Sequence, residues 1–160
     1  MMNFLVPVDF SESTDRVLQV AVKIAKPMDA KIHLVHVVES VLDAAGWKML
    51  PDMQTEMAAQ FPKEYRELVS LTEDLHAAGC LSDALLLQGP IVPVILYEIE
   101  RQKINMVVMG SHGHGALYDI MLGSICDGVM RQACCPVTVV PSRCHDVELN
   151  DTVSPASESQ

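Results

Sequence analysis

Five short apolar segments recur along the chain, and longer segments with a different periodicity separate them. Some of the five, such as FLVPV and MVVM, are apolar at consecutive positions, which is typical of strands that helices cover on both faces. The second, KIHLVHVV, is rich in β-branched residues, which favours a strand over a helix. The predicted strands are Phe4 to Val8, Lys31 to Val38, Ala84 to Leu87, Met106 to Met109 and Pro136 to Val140.

Helical spacing of apolar residues marks the segments between these strands. The first such segment follows candidate N-caps between Ser11 and Asp15 and ends at Pro27 and Asp29. Its apolar face follows the i, i+3, i+4, i+7, i+8 pattern and consists of Val17, Val20, Ala21, Ile24 and Ala25. A second helix has Gly79 as its C-cap and a face made of Tyr65, Leu68, Thr72 and Leu75.

Two later helices are predicted from the same spacing, Ile91 to Gln102 and Ser124 to Ala133, with a helical turn from Leu117 to Met121. Residues 40–62 are interrupted by Gly46, Pro51 and Pro62 and are interpreted as a surface excursion. Residues 143–160 are polar, with one Arg against four acidic residues, which predicts a flexible tail after a domain spanning residues 1–142.

The alternation of strands and helices predicts the fold class. Repeated β-α-β units give an α/β domain with an open five-stranded parallel sheet, helices on both faces and right-handed crossovers. Ligands of such sheets bind beyond the carboxyl ends of the strands, where the strand order reverses. We therefore expect the functional site in the loops that follow the first and fourth strands.

Composition and charge exclude some classes of binding partner and favour one cellular compartment. The chain has 160 residues, enough for one ordinary domain, and a formal net charge of -10. Such a charge repels nucleic acid and anionic membranes, so neither is expected as a partner. No signal peptide or membrane-spanning segment is predicted. The chain has five cysteines, an odd number, which favours a reducing, cytoplasmic setting over a disulfide-bonded one. Structural thiols are the leading interpretation, and a thiol switch or a metal site at Cys134 and Cys135 is the alternative.

The chemistry of the chain is concentrated in a glycine-rich loop after the fourth strand. It runs Gly110-Ser-His-Gly113-His-Gly115, and Gly123-Ser124 follow before a predicted helix. Glycines allow close backbone approach, and amides at a helix N-terminus bind anions, so Gly123, Ser124 and Ile125 are candidates to hold a phosphate. Ser124 is expected both to cap the helix and to offer its hydroxyl. The spacing is neither G-x-G-x-x-G nor a Walker A motif, and an ordinary glycine-rich connection remains the alternative.

Four blocks of sequence together resemble the universal stress protein family over residues 3 to 141. The spacing G-x-x-G-x9-G-[ST] at Gly110, Gly113, Gly123 and Ser124 is similar to the nucleotide-binding signature of that family. The other three blocks resemble its first strand and turn, its second strand and its last strand. They are Pro7 to Ser11, Leu34 to Val37 and Cys135 to Pro141.

The resemblance implies a Rossmann-like fold of the adenine nucleotide alpha hydrolase type, a homodimer paired through the last strand (Pro136 to Val140), and ATP as the ligand, with a divalent ion such as Mg or Mn. It places Asp9 beside the ribose, with Pro7 and Val8 near the base and sugar. It places Val37 at the adenine, Met109 and Gly110 at the ribose, and Gly113, Gly123, Ser124 and Ile125 at the phosphates. His112 is a further candidate phosphate contact.

The function that the resemblance implies is a nucleotide-dependent stress-response or signalling module. No Lys or Arg lies between Lys103 and Arg131, so no local cation stabilises a transferring phosphoryl group, which disfavours rapid kinase or ATPase chemistry. No catalytic residue is assigned. A slow ATP hydrolase or phosphotransferase, and an interaction protein with a vestigial nucleotide site, remain alternatives. Two of the candidate binding residues also have a purely structural interpretation. Asp9 would then be a simple turn residue, and His112 would be a solvated histidine.

Overall fold

The strands form one parallel sheet in the order β3-β2-β1-β4-β5. The structure, a computed structural model, describes residues 1–39, 54–112 and 122–142. The strands are β1 (Met2–Pro7), β2 (Ala30–Glu39), β3 (Ser82–Gly89), β4 (Met106–Gly110) and β5 (Val137–Val140). The helices are α1 (Thr14–Ala25), α2 (Gln54–Gln60), α3 (Pro62–Ala77), α4 (Ile91–Arg101) and α5 (Ser124–Gln132), with a 3-10 turn at Lys26–Met28.

The strand order reverses between β1 and β4. Phe4 of β1 is in register with Ile32 of β2 on one side and with Met106 of β4 on the other. β2 and β3 therefore lie on one side of β1, whereas β4 and β5 lie on its other side. The predicted α/β fold with five parallel strands is confirmed, and the reversal point lies between the two strands whose following loops were singled out.

Each face of the sheet is covered by its own pair of long helices. Successive residues of β1 point to opposite faces, so Phe4 and Val6 pack with residues of α1 and α3, whereas Leu5 packs with residues of α4 and α5. All three side chains are fully buried. This two-sided burial explains why the strands are apolar at consecutive positions.

The chain before α3 is more regular than predicted. Residues 54–60 of the supposed surface excursion form α2, and α3 already begins at Pro62. α2 has seven residues, and Met57 is its only buried side chain. A single buried position shows no apolar periodicity, so the sequence does not predict this helix. Residues 40–53 lie outside the described residues, as do the predicted turn at Leu117 to Met121 and the tail 143–160.

Two predicted helix ends have different outcomes. Gly79 follows α3 with a φ of +79°, and the N–H groups of Gly79 and Cys80 donate to the carbonyls of His76 (2.8 Å) and Leu75 (3.0 Å). This is the Schellman arrangement, in which glycine takes the left-handed position after the cap. At the start of α1, Ser13 is the N-cap residue but makes no side-chain capping bond.

Among the described residues, no helix has the length and apolar character needed to cross a membrane. The described cysteines are all free. Cys80 and Cys126 are buried, Cys134 is exposed and Cys135 is half-buried, whereas Cys144 lies outside the described residues.

Candidate functional site

A cavity of about 480 Å³ opens at the carboxyl ends of β1, β2 and β4. The amino ends of α1, α4 and α5 complete its wall, so it occupies the point where the strand order reverses. The residues predicted as binding residues that line it are Pro7, Val8, Asp9, Val37, Met109, Gly110, His112, Gly123, Ser124 and Ile125. Gly113 lies outside the described residues.

The loop after β1 is held by its own backbone and by His36. The Asp9 carboxylate accepts a hydrogen bond from the Ser11 N–H (3.1 Å), a turn in which Asp is favoured. Phe10 adopts a φ of +58°, which is unusual for a residue with a side chain. Its ring stacks on the His36 ring at a centroid distance of 4.3 Å. His36 Nδ1 lies 2.8 Å from the Val8 carbonyl oxygen, which only accepts, so Nδ1 is the donor.

The end of β4 and the residue before α5 lie in close backbone contact. The Gly123 N–H donates to the Ser111 carbonyl (2.8 Å), and the Ser111 N–H donates to the Val140 carbonyl (2.8 Å). A Cβ on Gly123 would lie 3.0 Å from the Ser111 oxygen, and one on Gly110 would lie 3.3 Å from the His112 oxygen. Gly123 is therefore required by the close approach of the chain itself.

Three amides at the start of α5 have no acceptor among the described residues. Gly123 is the N-cap residue of this helix and, as a glycine, has no side chain that could cap it. The first i to i−4 hydrogen bond of the helix runs from the Asp127 N–H to the Gly123 carbonyl (2.9 Å). The three amides before it, those of Ser124, Ile125 and Cys126, therefore have no backbone acceptor among the described residues. The prediction that Ser124 caps the helix is wrong, because Ser124 is already the first helical residue. Its hydroxyl and the three amides form a cluster of donors at the positive end of a helix.

Another part of the lining is apolar, and we call it the apolar slot. Its side chains come from the ends of β2 and β4 and from the first turns of α4, and all lie in the core on the α4 and α5 face of the sheet. They are Val35, Val37, Met109, Ile91 and Ile95. An apolar slot that adjoins a cluster of donors is suited to a flat ring joined to an anionic group.

The charged groups of the lining are acidic. Asp9 and Glu39 line the cavity, and no Lys or Arg does so among the described residues. His112 contacts its neighbour, with Nδ1 2.9 Å from the Ser111 Oγ. Burial, together with the Asp127 carboxylate, raises the pKa of the Cys126 thiol, which therefore stays protonated near neutral pH. The described part of the chain contains no group of three or more side chains placed to hold a metal ion.

Several lining residues were missed by the sequence reasoning. His36 was interpreted only as a core histidine, and Glu39, Ser111 and Cys126 were not singled out. Thr14 also lines the cavity, and its Oγ1 is the buried side-chain polar atom that has no partner among the described residues. Ser13, Val17 and the slot residues Val35, Ile91 and Ile95 complete the set. The sequence did contain a signal for Ile91 and Ile95. They lie in the first turns of a predicted helix that follows a predicted strand, and ligands of parallel sheets bind at such positions.

Comparisons with known proteins agree with the fold and with the sequence blocks. The model of the universal stress protein family matches residues 1–141. A universal stress protein from Thermus aquaticus is 32% identical over 136 residues, covering 85% of this chain and 96% of the relative. Universal stress protein MJ0531 from Methanocaldococcus jannaschii is 28% identical over 141 residues, covering 85% of this chain and 79% of the relative.

Solved structures have the same architecture. The structure of MJ0577 superposes with a TM-score of 0.70 at 24% identity, covering 87% of this chain and 94% of that chain. A universal stress protein in complex with cAMP has a TM-score of 0.66 at 20% identity, covering 89% and 98%. The universal stress protein from Archaeoglobus fulgidus in complex with dAMP has a TM-score of 0.64 at 20% identity, covering 87% and 97%.

Proposed function

This chain belongs to the universal stress protein family, and on that premise we propose that it binds an adenine nucleotide in the cavity between β1 and β4. The observation that carries the proposal is that one cavity is lined both by the apolar slot and by the start of α5, whose first three amides have no acceptor among the described residues. Those two surfaces are what the base and the phosphate of a nucleotide require. The complexes of two structural neighbours with cAMP and dAMP support adenine as the base.

The proposed pose follows from the chemistry of the lining. The base lies in the apolar slot against Val37, and the ribose lies near Asp9, whose carboxylate can accept only. The phosphate lies at the amides of Ser124 and Ile125, where the dipole of α5 favours negative charge. Gly113, which lies outside the described residues, completes the glycine pattern that predicted this arrangement.

The proposed role is nucleotide-dependent signalling in a stress response rather than turnover. The glycine pattern G-x-x-G-x9-G-[ST] favours ATP among the ligands. Fast phosphoryl transfer requires cations at the developing charge, and the described lining contains no Lys or Arg. Occupancy of the site would act by favouring the conformation of the domain that binds the nucleotide.

We also propose that the chain forms a homodimer through β5. Among the described strands, β5 lies at an edge of the sheet and pairs only with β4. The carbonyls of Pro136 and Val140 accept from β4 and from Ser111, so the alternate groups, those of Val137 and Val139, point away from the sheet. An edge strand with free backbone groups and apolar side chains is suited to pair with a second copy.

Binding is tested by equilibrium dialysis of labelled adenine nucleotides against the wild type and the Ser124→Ala variant. Loss of a hydrogen bond to a charged phosphate weakens binding by about tenfold or more. Ser70→Ala, on the exposed face of α3, is the matched control and leaves binding unchanged. Ser124 is preferable to Gly123 for this test, because a Cβ at Gly123 would lie only 3.0 Å from the Ser111 oxygen and would shift the local backbone as well as the site. Retention of no adenine nucleotide by the wild type would refute the proposal.

A further inference from the structure

Two adjacent cysteines, Cys134 and Cys135, lie between the end of α5 and the start of β5, and we call them the dithiol pair. Both thiols are free, Cys134 is exposed and Cys135 is half-buried. The flanking residues Gln132 and Pro136 are exposed as well, so molecules in solution reach this part of the chain. The cavity opens at the carboxyl ends of the strands, whereas the dithiol pair precedes the amino end of β5. The two sites therefore lie at opposite ends of the sheet.

The spacing of the dithiol pair disfavours a direct bond between its two sulfur atoms. Neighbouring Cα atoms are about 3.8 Å apart across a trans peptide, whereas disulfides usually join Cα atoms that are about 4.4 Å or more apart. Both residues lie in a bend before β5, which begins at Val137, so the alternation of a strand does not force the thiols to opposite faces. The pair is therefore suited to an atom that bonds to both sulfurs.

The dithiol pair has too few neighbouring ligands for an ordinary metal ion. Structural zinc takes four ligands. The described part of the chain contains no group of three or more His, Cys, Asp or Glu side chains placed to hold a metal. The occupant must therefore need only two protein ligands, and thiols select soft elements.

Protonation of the thiols also argues against a metal cation, which binds thiolates. Burial raises the pKa of the Cys135 thiol, and the charge of Cys134 raises it further, so the two thiols interact electrostatically. A hydrogen bond from the Val107 backbone opposes this rise without cancelling it. No free guanidinium of α5 offsets the charge, because Arg131 is paired with Asp127 at 2.8 Å. An occupant that takes up the thiol protons is favoured over one that needs two thiolates.

We propose that the dithiol pair is a binding site for a trivalent arsenical that carries one organic substituent. Such an arsenic atom needs two further ligands and favours soft sulfur. Each thiol replaces one arsenic–oxygen bond by an arsenic–sulfur bond, and the oxygen leaves as water with the two thiol protons. Arsenic stays trivalent, so no oxidant or reductant is required, and the product carries no charge. This inference goes beyond the proposed function and does not depend on it.

The test is mass spectrometry of the full chain after incubation with phenylarsine oxide in excess glutathione. Glutathione, a monothiol, displaces arsenic held by single bonds, whereas two thiols of one chain hold it as a chelate that is about 100-fold or more tighter. The wild type is expected to gain one phenylarsenic group, to lose two hydrogens, and to release the group to 2,3-dimercaptopropanol. Cys134→Ser and Cys135→Ser are each expected to bind about 100-fold or more weakly. Cys144→Ser is the matched control and binds as the wild type does.

The outcomes decide the inference without reference to the nucleotide. A wild type that gains no phenylarsenic group overturns it, as does binding of wild-type strength by Cys134→Ser or Cys135→Ser, or loss of binding in Cys144→Ser. Peptic digestion of the wild-type adduct gives an assignment that does not depend on the folding of any variant. The arsenic is expected on the peptide that contains the dithiol pair, and arsenic on a peptide of Cys80, Cys126 or Cys144 contradicts the inference.

Discussion

Asp83, at the amino end of β3, joins two basic side chains of the neighbouring strand. Its Oδ1 lies 2.8 Å from His33 Nδ1, and its Oδ2 lies 2.6 Å from Lys31 Nζ. Burial acts to raise the pKa of the Asp83 carboxyl, but the hydrogen bonds and charges of His33 and Lys31 outweigh it, so the pKa is lowered. A carboxyl with a lowered pKa stabilises the folded state above its unfolded pKa, about 3.9, and this contribution is lost as the pH falls through the lower folded value.

We therefore predict that Asp83→Asn lowers the free energy of unfolding at neutral pH, and that the difference from the wild type shrinks as the pH falls below about 4. Urea unfolding at a series of pH values measures both. Glu73→Gln, an exposed acidic residue on α3, is the control and shows no such pH dependence. A constant difference between Asp83→Asn and the wild type at every pH would contradict this explanation.

Among the elements, α2 has a defined contact with the edge of the sheet. The side-chain amide of Gln54 pairs with the backbone of Leu86 as a neighbouring strand would, accepting from its N–H (3.1 Å) and donating to its carbonyl (3.0 Å). Nearby, His76 of α3 lies 3.0 Å from the carbonyl oxygen of Ser82. Two helices thus satisfy outward-facing backbone groups of β3, which would otherwise pair with another chain.

Replacing Gln54 by Leu is predicted to leave the Leu86 N–H and carbonyl unpaired, at a cost of about 1 to 3 kcal/mol, and to promote association through β3. Unfolding in urea measures the stability, and light scattering across a concentration series measures the association. Gln60→Leu, at an exposed position of the same helix, is the matched control. A Gln54 variant as stable and as weakly associating as the Gln60 variant would show that the amide has no such role.

Elements with long apolar periodicity could be predicted from the sequence, and α2 could not. The core positions of α1, such as Val17 and Ala21, repeat at helical spacing because one face of the helix packs on the sheet. α2 contributes only Met57 to the core and is fixed by Gln54, whose partner Leu86 lies 32 residues further along the chain. A contact of that separation leaves no pattern in the local sequence.

Some residues of the candidate site could likewise be predicted from the local sequence, whereas others are brought to it by contacts distant in the sequence. The glycine pattern at Gly110 and Gly123 could be recognised because a close backbone approach favours residues without a Cβ. His36, Glu39 and Thr14 reach the cavity only because β2 and α1 lie beside β1 and β4 in the folded sheet. Strand order is decided by the packing of the whole domain, so the sequence around these three residues carries no sign of their position.

At the scale of the whole molecule, the two edges of the sheet differ. The β3 edge is covered by Gln54 and His76, whereas the outward groups of Val137 and Val139 on β5 have no partner among the described residues. We predict that Val139→Pro, which removes one outward N–H, weakens the proposed homodimer, whereas Val139→Thr does not. Sedimentation equilibrium measures the dimer dissociation constant. An unchanged constant for the proline variant would contradict pairing through β5.

The central claim is that an adenine nucleotide binds between the ends of β1 and β4, with its phosphate at the start of α5. The most direct measurement is a titration of the isotopically labelled protein with AMP, followed by the amide resonances of each residue. We predict the largest shifts at the amides of Ser124, Ile125 and Cys126, with further shifts around Asp9. Saturating AMP that leaves these amides unshifted, or that shifts a different face of the domain, would contradict the claim.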